Sequence, residues 1–149
     1  GLVLGMSIAD NMTLPMLRAL SRGLLLRQRT QVALANEYRQ GLRIVCASLN
    51  QPAGRLSGGN QQKCVLGKWI MTKPRILILD EPTLGQDWRH LQQLMDCLQR
   101  LNEQGTAILL ITHDYKLVHQ YAGRAILLHE GQVALDGYLK GQKDEIYHA

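Results

Sequence analysis

Aromatic residues are scarce in this chain of 149 residues, which contains two Trp, five Tyr and no Phe. These few aromatics do not alternate with the arginines, as a surface that stacks on single-stranded nucleic acid requires. No apolar run approaches the roughly 20 residues that cross a bilayer. The three cysteines stand far apart and form no CxxC pair, which predicts reduced thiols and no zinc site. The composition therefore argues for a globular domain without a disulfide framework.

Charge is divided unevenly between the two halves of the chain. The net charge is +5, but residues 1–75 carry eleven Lys and Arg against two acids, whereas residues 76–149 carry six against ten. A basic first half is either a solvated surface or a face toward nucleic acid, anionic lipid or an acidic partner. Charge alone leaves these alternatives open.

A hydroxyl and two glycines directly precede a helical pattern near the middle of the chain. This segment consists of Leu56, Ser57, Gly58, Gly59, Asn60 and Gln61. At a helix start, unpaired backbone N–H groups and the positive end of the helix dipole can face an anion. Glycine lets that anion approach the backbone because no Cβ stands in the way. The segment therefore predicts a phosphate-binding site.

Two apolar strands end beside polar residues that suit catalysis. The run Ile76–Leu79 leads into Asp80 and Glu81, and the run Ala107–Ile111 leads, after one residue, into His113. Such runs predict fully buried strands, and open α/β sheets bind ligands at the carboxyl ends of their strands. One carboxylate there suits Mg²⁺, and a second can act as a general base.

In this order the three motifs resemble those of ABC-transporter ATPases: the LSGGQ-type signature, the Walker B strand and the switch histidine. The resemblance implies an α/β fold, namely a partial RecA-like P-loop NTPase sheet with a helical subdomain. Residues 1–59 are then expected to form the helical, signature-bearing subdomain. Residues 60–149 are expected to form the C-terminal part of the RecA-like core.

The resemblance also implies a role for each motif. Glu81 is the expected general base, Asp80 the expected Mg²⁺ ligand, and His113 the expected switch at the γ-phosphate of ATP. Asp87, in a loop similar to the family's D-loop, is expected to couple two sites across a dimer interface; a helix N-cap is its structural alternative. In a head-to-tail dimer, the signature contacts nucleotide bound to the second subunit or half. The residues expected to make that contact are Ser57, Gly58, Gly59, Asn60 and Gln61.

Two motifs of the family do not occur in the sequence. There is no GxxxxGK[ST] phosphate-binding loop, and Gln28 and Gln31 lie in a helix pattern rather than in a Q-loop. We therefore expect the chain to be the C-terminal portion of a larger ATPase domain and to be inactive by itself. A truncated, inactive remnant is the alternative.

The extended signature, LSGGNQQK, and residues 66–70 after it are similar to those of simple-sugar importers of the ribose, galactose and xylose class. That similarity implies a peripheral protein at the cytoplasmic face of the inner membrane. Its expected partners are transmembrane permease subunits, a second ATPase subunit or half and, indirectly, a substrate-binding protein. Residues 84–87 are more similar to energy-coupling ATPases for vitamin or metal-ion uptake. A soluble ABC ATPase acting on nucleic acid or the ribosome is a further alternative, although no nucleic-acid partner is expected.

Apolar periodicity and chain breakers predict the elements that carry these motifs. The first predicted helix starts at residue 7. The other predicted helices cover residues 29–40, about 60–72, about 91–101 and 114–121. Gly41 and Gly105 are expected to end two of them. Glu130 and Gly131 are expected to form a two-residue hairpin turn.

Overall fold

The structure, a computed structural model, describes residues 1–22, 25–82 and 88–139. Its helices are α1 (Ile8–Thr13), α2 (Leu17–Leu20), α3 (Gln28–Gly41), α4 (Gly58–Ile70), α5 (Trp88–Glu103) and α6 (Tyr115–Tyr121). Its strands are β1 (Ser21–Arg22), β2 (Leu25–Leu26), β3 (Ile76–Asp80), β4 (Ala107–Ile111), β5 (Arg124–His129) and β6 (Gln132–Tyr138). This mixture confirms the α/β class. Within the described ranges, no helix combines the length and apolarity needed to cross a membrane.

Helix α1 begins where the sequence predicts, because Ser7 caps it. The Ser7 hydroxyl accepts a hydrogen bond from the Asp10 backbone N–H at 3.0 Å. Helix α1 packs against α4 at Gly67, where an added Cβ would lie 2.8 Å from Met12 Cε and 2.9 Å from Leu42 Cδ1. The two helices can approach this closely because residue 67 has no side chain. The core around this contact comprises Ile8, Met12, Ile44, Ala53, Leu56, Cys64 and Met71.

A buried polar network joins α1 to α3. Gln31 is almost fully buried, and its Nε2 donates to Asp10 Oδ1 and to Thr13 Oγ1, both at 2.9 Å. Buried polar groups of this kind must find partners to avoid a desolvation penalty. Gln31 is therefore a structural residue of α3, in agreement with its helix pattern.

Strands β3 and β4 form a two-stranded sheet, in which the Ala107 N–H donates to the Arg75 carbonyl at 2.9 Å. The expectation that both strands are fully buried is wrong. In β3, Leu77 is buried, whereas Ile76 is 64% and Ile78 61% exposed; in β4, Leu109 is 49% exposed. Successive side chains of a strand point to opposite faces, and the described residues cover only one face of β3.

Strands β5 and β6 form the predicted hairpin. Glu130 and Gly131 both have positive φ, 48° and 77°, as a two-residue type I′ turn requires. The pairing runs from His129 and Gln132 at the turn to Arg124 and Tyr138 at the open end. The second strand of the hairpin continues to Tyr138.

A second, shorter hairpin was not predicted from the sequence. Ser21 of β1 pairs with Leu26 of β2. The chain divides into two compact units, Gly1–Leu109 and Leu110–Ala149. The signature segment and the acids Asp80 and Glu81 belong to the first unit, and His113 belongs to the second.

Candidate functional site

The start of α4 presents unpaired backbone donors. Ser57 is the N-cap residue, with extended backbone angles (φ −61°, ψ 155°), but no side chain caps the helix. The first helical N–H groups have no acceptor one turn earlier, so they carry the positive end of the helix dipole. Ser57 and Gly58 are exposed, and an added Cβ at Gly58 would meet no atom within 4 Å. The helix start therefore has donors and open space at Gly58, and the predicted phosphate contact stays a prediction.

Asn60 and Gln61 turn their side chains toward their own chain. Asn60 Nδ2 donates to Ser57 Oγ at 2.9 Å, and Asn60 Oδ1 accepts from the Val45 N–H at 2.9 Å. Gln61 Nε2 donates to the Leu56 carbonyl at 3.0 Å. Both amides thus shape the signature segment, and their predicted contact with nucleotide remains a prediction.

Asp80 and Glu81 follow each other at the end of β3. Asp80 is exposed, whereas Glu81 is half-buried and one of its carboxylate oxygens is shielded from solvent. The φ of Glu81 is 44°, a conformation that is uncommon for residues other than glycine and that clusters at functional sites. The backbone therefore adopts an uncommon conformation at the second of the two acids.

The two acids line a cleft of about 710 Å³ in the first unit. Lys63 of α4 links two other residues that line the cleft. Its Nζ donates to the Arg43 carbonyl at 3.4 Å and to Gln93 Oε1 at 3.1 Å. These bonds hold α4 close to α5. The two helices thus form the sides of the cleft that receives the end of β3.

The carboxylates of the cleft suit Mg²⁺ only if a nucleotide supplies further oxygen ligands. In the described part of the chain, no group of three or more His, Cys, Asp or Glu residues could hold a metal ion. Mg²⁺ is commonly held by one or two carboxylates together with phosphate oxygens and water. The exposed Asp80 can supply such a carboxylate, so the residues present suit a metal that arrives with phosphate.

His113 lies in a turn between β4 and α6. Asp114 caps α6, since its Oδ1 accepts from the Lys116 N–H at 2.9 Å and the Leu117 N–H at 3.4 Å. Thr112 Oγ1 accepts from the Asp114 N–H at 3.1 Å. These bonds order both neighbours of His113, whose side chain is exposed. Its predicted role as a switch stays a prediction.

The structure unites some of the predicted site residues but not all. The side chains of Ser57 and Asn60 are hydrogen-bonded to each other, and Asp80 and Glu81 line the same cleft. Asp87 lies outside the described residues. Sequence reasoning missed the contribution of Val45, whose backbone N–H orients Asn60. No signal could have revealed it, because any residue except proline supplies such a donor.

Comparison with known proteins gives these features a context. Residues 3–84 match the family model described as ABC transporter. The chain is 40% identical over 136 residues to the ribose import ATP-binding protein RbsA of Jannaschia sp. (strain CCS1), covering 91% of this chain and 26% of that protein. It is also 40% identical over 134 residues to ribose import ATP-binding protein RbsA 1 of Rhizobium meliloti (strain 1021), covering 90% of this chain and 27% of that protein. The chain thus spans about a quarter of the length of these curated relatives.

Solved structures show the same fold. The chain matches a dimeric ATP-binding cassette in a post-hydrolysis state, bound to ADP and Pi, with a TM-score of 0.80 and 26% sequence identity. The match covers 95% of this chain and 60% of that chain. A second dimeric structure, described as a bacterial ABC transporter cassette, matches with the same score and coverage. The predicted partial RecA-like ATPase fold is therefore confirmed.

Proposed function

Because the chain belongs to the ABC transporter family, we propose that it is part of a larger ATP-hydrolysing subunit that drives simple-sugar import. The observation that carries this proposal is the 40% identity to two ribose import ATP-binding proteins over about nine-tenths of the chain. The helix start at Gly58 and the paired acids at the end of β3 supply the chemistry that such a subunit needs.

Each site residue has a distinct task in the proposed reaction. Glu81 accepts the proton of the attacking water, and Asp80 holds Mg²⁺, which neutralises charge on the phosphates when it is bound. His113 contacts the γ-phosphate and thereby reports the state of the nucleotide. Asp87, which lies outside the described residues, couples the two sites of the assembled pair.

The signature segment serves a second nucleotide. In the proposed head-to-tail pair, the N-terminus of α4 faces ATP bound to another subunit or half. Ser57 supplies a hydroxyl, and the backbone at Gly58 and Gly59 supplies N–H donors. The open space above Gly58 supports this role, because nothing within the described chain requires a glycine there.

The proposed partners follow from the same function. The subunit works with transmembrane permease subunits at the cytoplasmic face of the membrane and, through them, with a substrate-binding protein. The dimeric cassette structures support pairing with a second ATPase. The names of the ribose import relatives favour a sugar over the vitamins and metal ions that the sequence left open.

Hydrolysis is tested with Glu81→Gln in the full-length gene product. An amide can position water but cannot accept its proton, so we expect kcat to fall by about 10²- to 10⁴-fold while ATP still binds. ATP turnover and nucleotide binding are measured on the same samples. Glu37→Gln, at an exposed position on α3, is the matched control and should leave kcat unchanged. A native rate for Glu81→Gln would reject the role of Glu81 as base.

The transported substrate needs a separate test in cells. Deleting the gene should abolish uptake of labelled ribose or a related simple sugar, and the wild-type gene should restore it. The Glu81→Gln gene should not restore uptake, because ATP hydrolysis drives the transport cycle. Loss of vitamin or metal-ion uptake with normal sugar uptake would instead support the energy-coupling alternative.

A further inference from the structure

The side chain of Asn60 lies between two groups whose polarity decides its orientation. On one side is the Val45 backbone N–H, which can only donate, 2.9 Å from Oδ1. An amide nitrogen cannot accept a hydrogen bond from that group, so the oxygen must face Val45. The Nδ2 group therefore points the opposite way, to Ser57 Oγ at 2.9 Å.

This orientation also determines the direction of the bond to Ser57. The Nδ2 group has only protons to offer, so the Ser57 oxygen must accept. The hydroxyl proton of Ser57 then remains available for another acceptor. In the described part of the chain, Ser57 Oγ makes no other hydrogen bond, and Ser57 is exposed at the uncapped start of α4.

We propose that Asn60 is a positioning residue that turns the Ser57 hydroxyl proton outward, toward a phosphate oxygen of the nucleotide facing α4. The inference rests on the proposed function, which places that nucleotide there. The hydrogen bonds run in one direction, from the Val45 N–H through the Asn60 amide to Ser57 and then to the phosphate. The neutral amide of Asn60 fits this chain of bonds, since it accepts at one end and donates at the other.

A carboxylate at residue 60 would reverse the direction of the hydrogen bond between residue 60 and Ser57. Aspartate has the same shape and could still accept from the Val45 N–H, but its second oxygen would accept the Ser57 proton. The hydroxyl would then point inward, and a negative charge would stand beside the anion site. Asn60→Asp therefore preserves the bond to residue 45 while removing the proposed donor.

The test is a double-mutant cycle in the full-length protein assembled with its partners, with ATPase kcat as the readout. Asn60→Ala and Ser57→Ala should each lower kcat about tenfold to a hundredfold, the range for losing a hydrogen bond to a charged group. In the Ser57→Ala background, Asn60→Ala should change kcat by less than about twofold. A purely structural Asn60 would cost the same factor in both backgrounds, and that result would overturn the proposal.

Asn60→Asp provides the second variant, in case Asn60→Ala disturbs the fold. Its kcat should fall at least as far as that of Asn60→Ala, with an unchanged urea midpoint. Asn50→Asp makes the same substitution at an exposed loop position and should keep wild-type kcat. Wild-type kcat in Asn60→Asp would reject the positioning role alone. Wild-type kcat in Ser57→Ala would reject both that role and the proposed phosphate contact.

Discussion

Gly58 and Glu81 each have a feature that the fold of the described chain does not require. An added Cβ at Gly58 would meet no atom within 4 Å, so no internal contact explains a glycine there. Glu81 has a φ of 44°, which costs a residue with a side chain about 1–3 kcal/mol. In the proposed function, a phosphate that approaches the backbone at Gly58 would account for the first feature, and the placing of the Glu81 carboxylate beside the attacking water would account for the second.

Gly58→Ala separates folding from function at the signature. Replacing glycine by alanine in a helix at an unhindered site should leave stability unchanged or raise it by up to about 1 kcal/mol. ATP hydrolysis by the full-length protein should nevertheless fall about tenfold or more, because the methyl group stands where phosphate approaches. Gly123→Ala, at another position with open space, is the control and should keep full activity. Normal hydrolysis in Gly58→Ala would contradict the phosphate contact.

Cys64 should be almost inert in the folded chain. Burial, together with the neighbouring Cys46, raises the pKa of its thiol from 9.0 to about 12. At pH 8 the reactive thiolate is then about 10³-fold rarer than for an ordinary thiol. Iodoacetamide should therefore label Cys64 about 10³-fold more slowly in the native chain than in urea, as followed by mass spectrometry. Equal rates in both states would show that Cys64 is accessible and its pKa ordinary.

The same shift predicts how stability depends on pH. The folded pKa of Cys64 lies above the unfolded one, so the unfolded chain releases this proton first as the pH rises. The contribution to stability is complete below about pH 9 and is lost as the pH rises toward 12. Urea denaturation at pH 8 and pH 10.5 should show a loss in wild type that is smaller in Cys64→Ala. An identical loss in both chains would assign the effect to other groups.

At the scale of elements, local sequence signals predicted caps and turns correctly, but they did not predict which side chains are buried. Ser7 caps α1 because a serine hydroxyl satisfies a first-turn N–H, and the Glu130-Gly131 turn forms because both residues adopt positive φ. Such features depend on neighbours in sequence. Whether Ile76 and Ile78 are covered depends on residues far away along the chain, and the apolar run could not reveal that one face is open.

The contact between α1 and α4 depends on the absence of a side chain at Gly67. Valine there would meet Met12 and Leu42, which already lie under 3 Å from an added Cβ, so the helices must separate. Overpacking of this kind costs about 1–3 kcal/mol, and we expect Gly67→Val to lower the free energy of unfolding by that amount in urea denaturation. Gly58→Val, in the same helix but facing open space, should cost less. Equal costs would mean that valine's helix propensity, rather than the contact, governs both positions.

At the scale of the molecule, the sequence indicated candidate site residues but not the contacts that join them. The signature segment and the acids Asp80 and Glu81 could be proposed from the sequence because each motif is contiguous. The bond from Val45 to Asn60 joins residues 15 apart that share no pattern, and only the fold brings them together.

Ile78→Lys tests whether the open face of β3 is covered in a longer ATPase, as the proposed function requires. Ile78 is 61% exposed, so in the 149-residue chain the lysine should change the free energy of unfolding by less than about 0.5 kcal/mol. In the full-length product the same lysine should cost about 2 kcal/mol or more, because upstream residues would bury an unpaired charge. Val133→Lys, at a 62% exposed position of β6, is the matched control and should have a small effect in both proteins. A small effect of Ile78→Lys in both would show that this face stays in solvent and that upstream residues pack elsewhere.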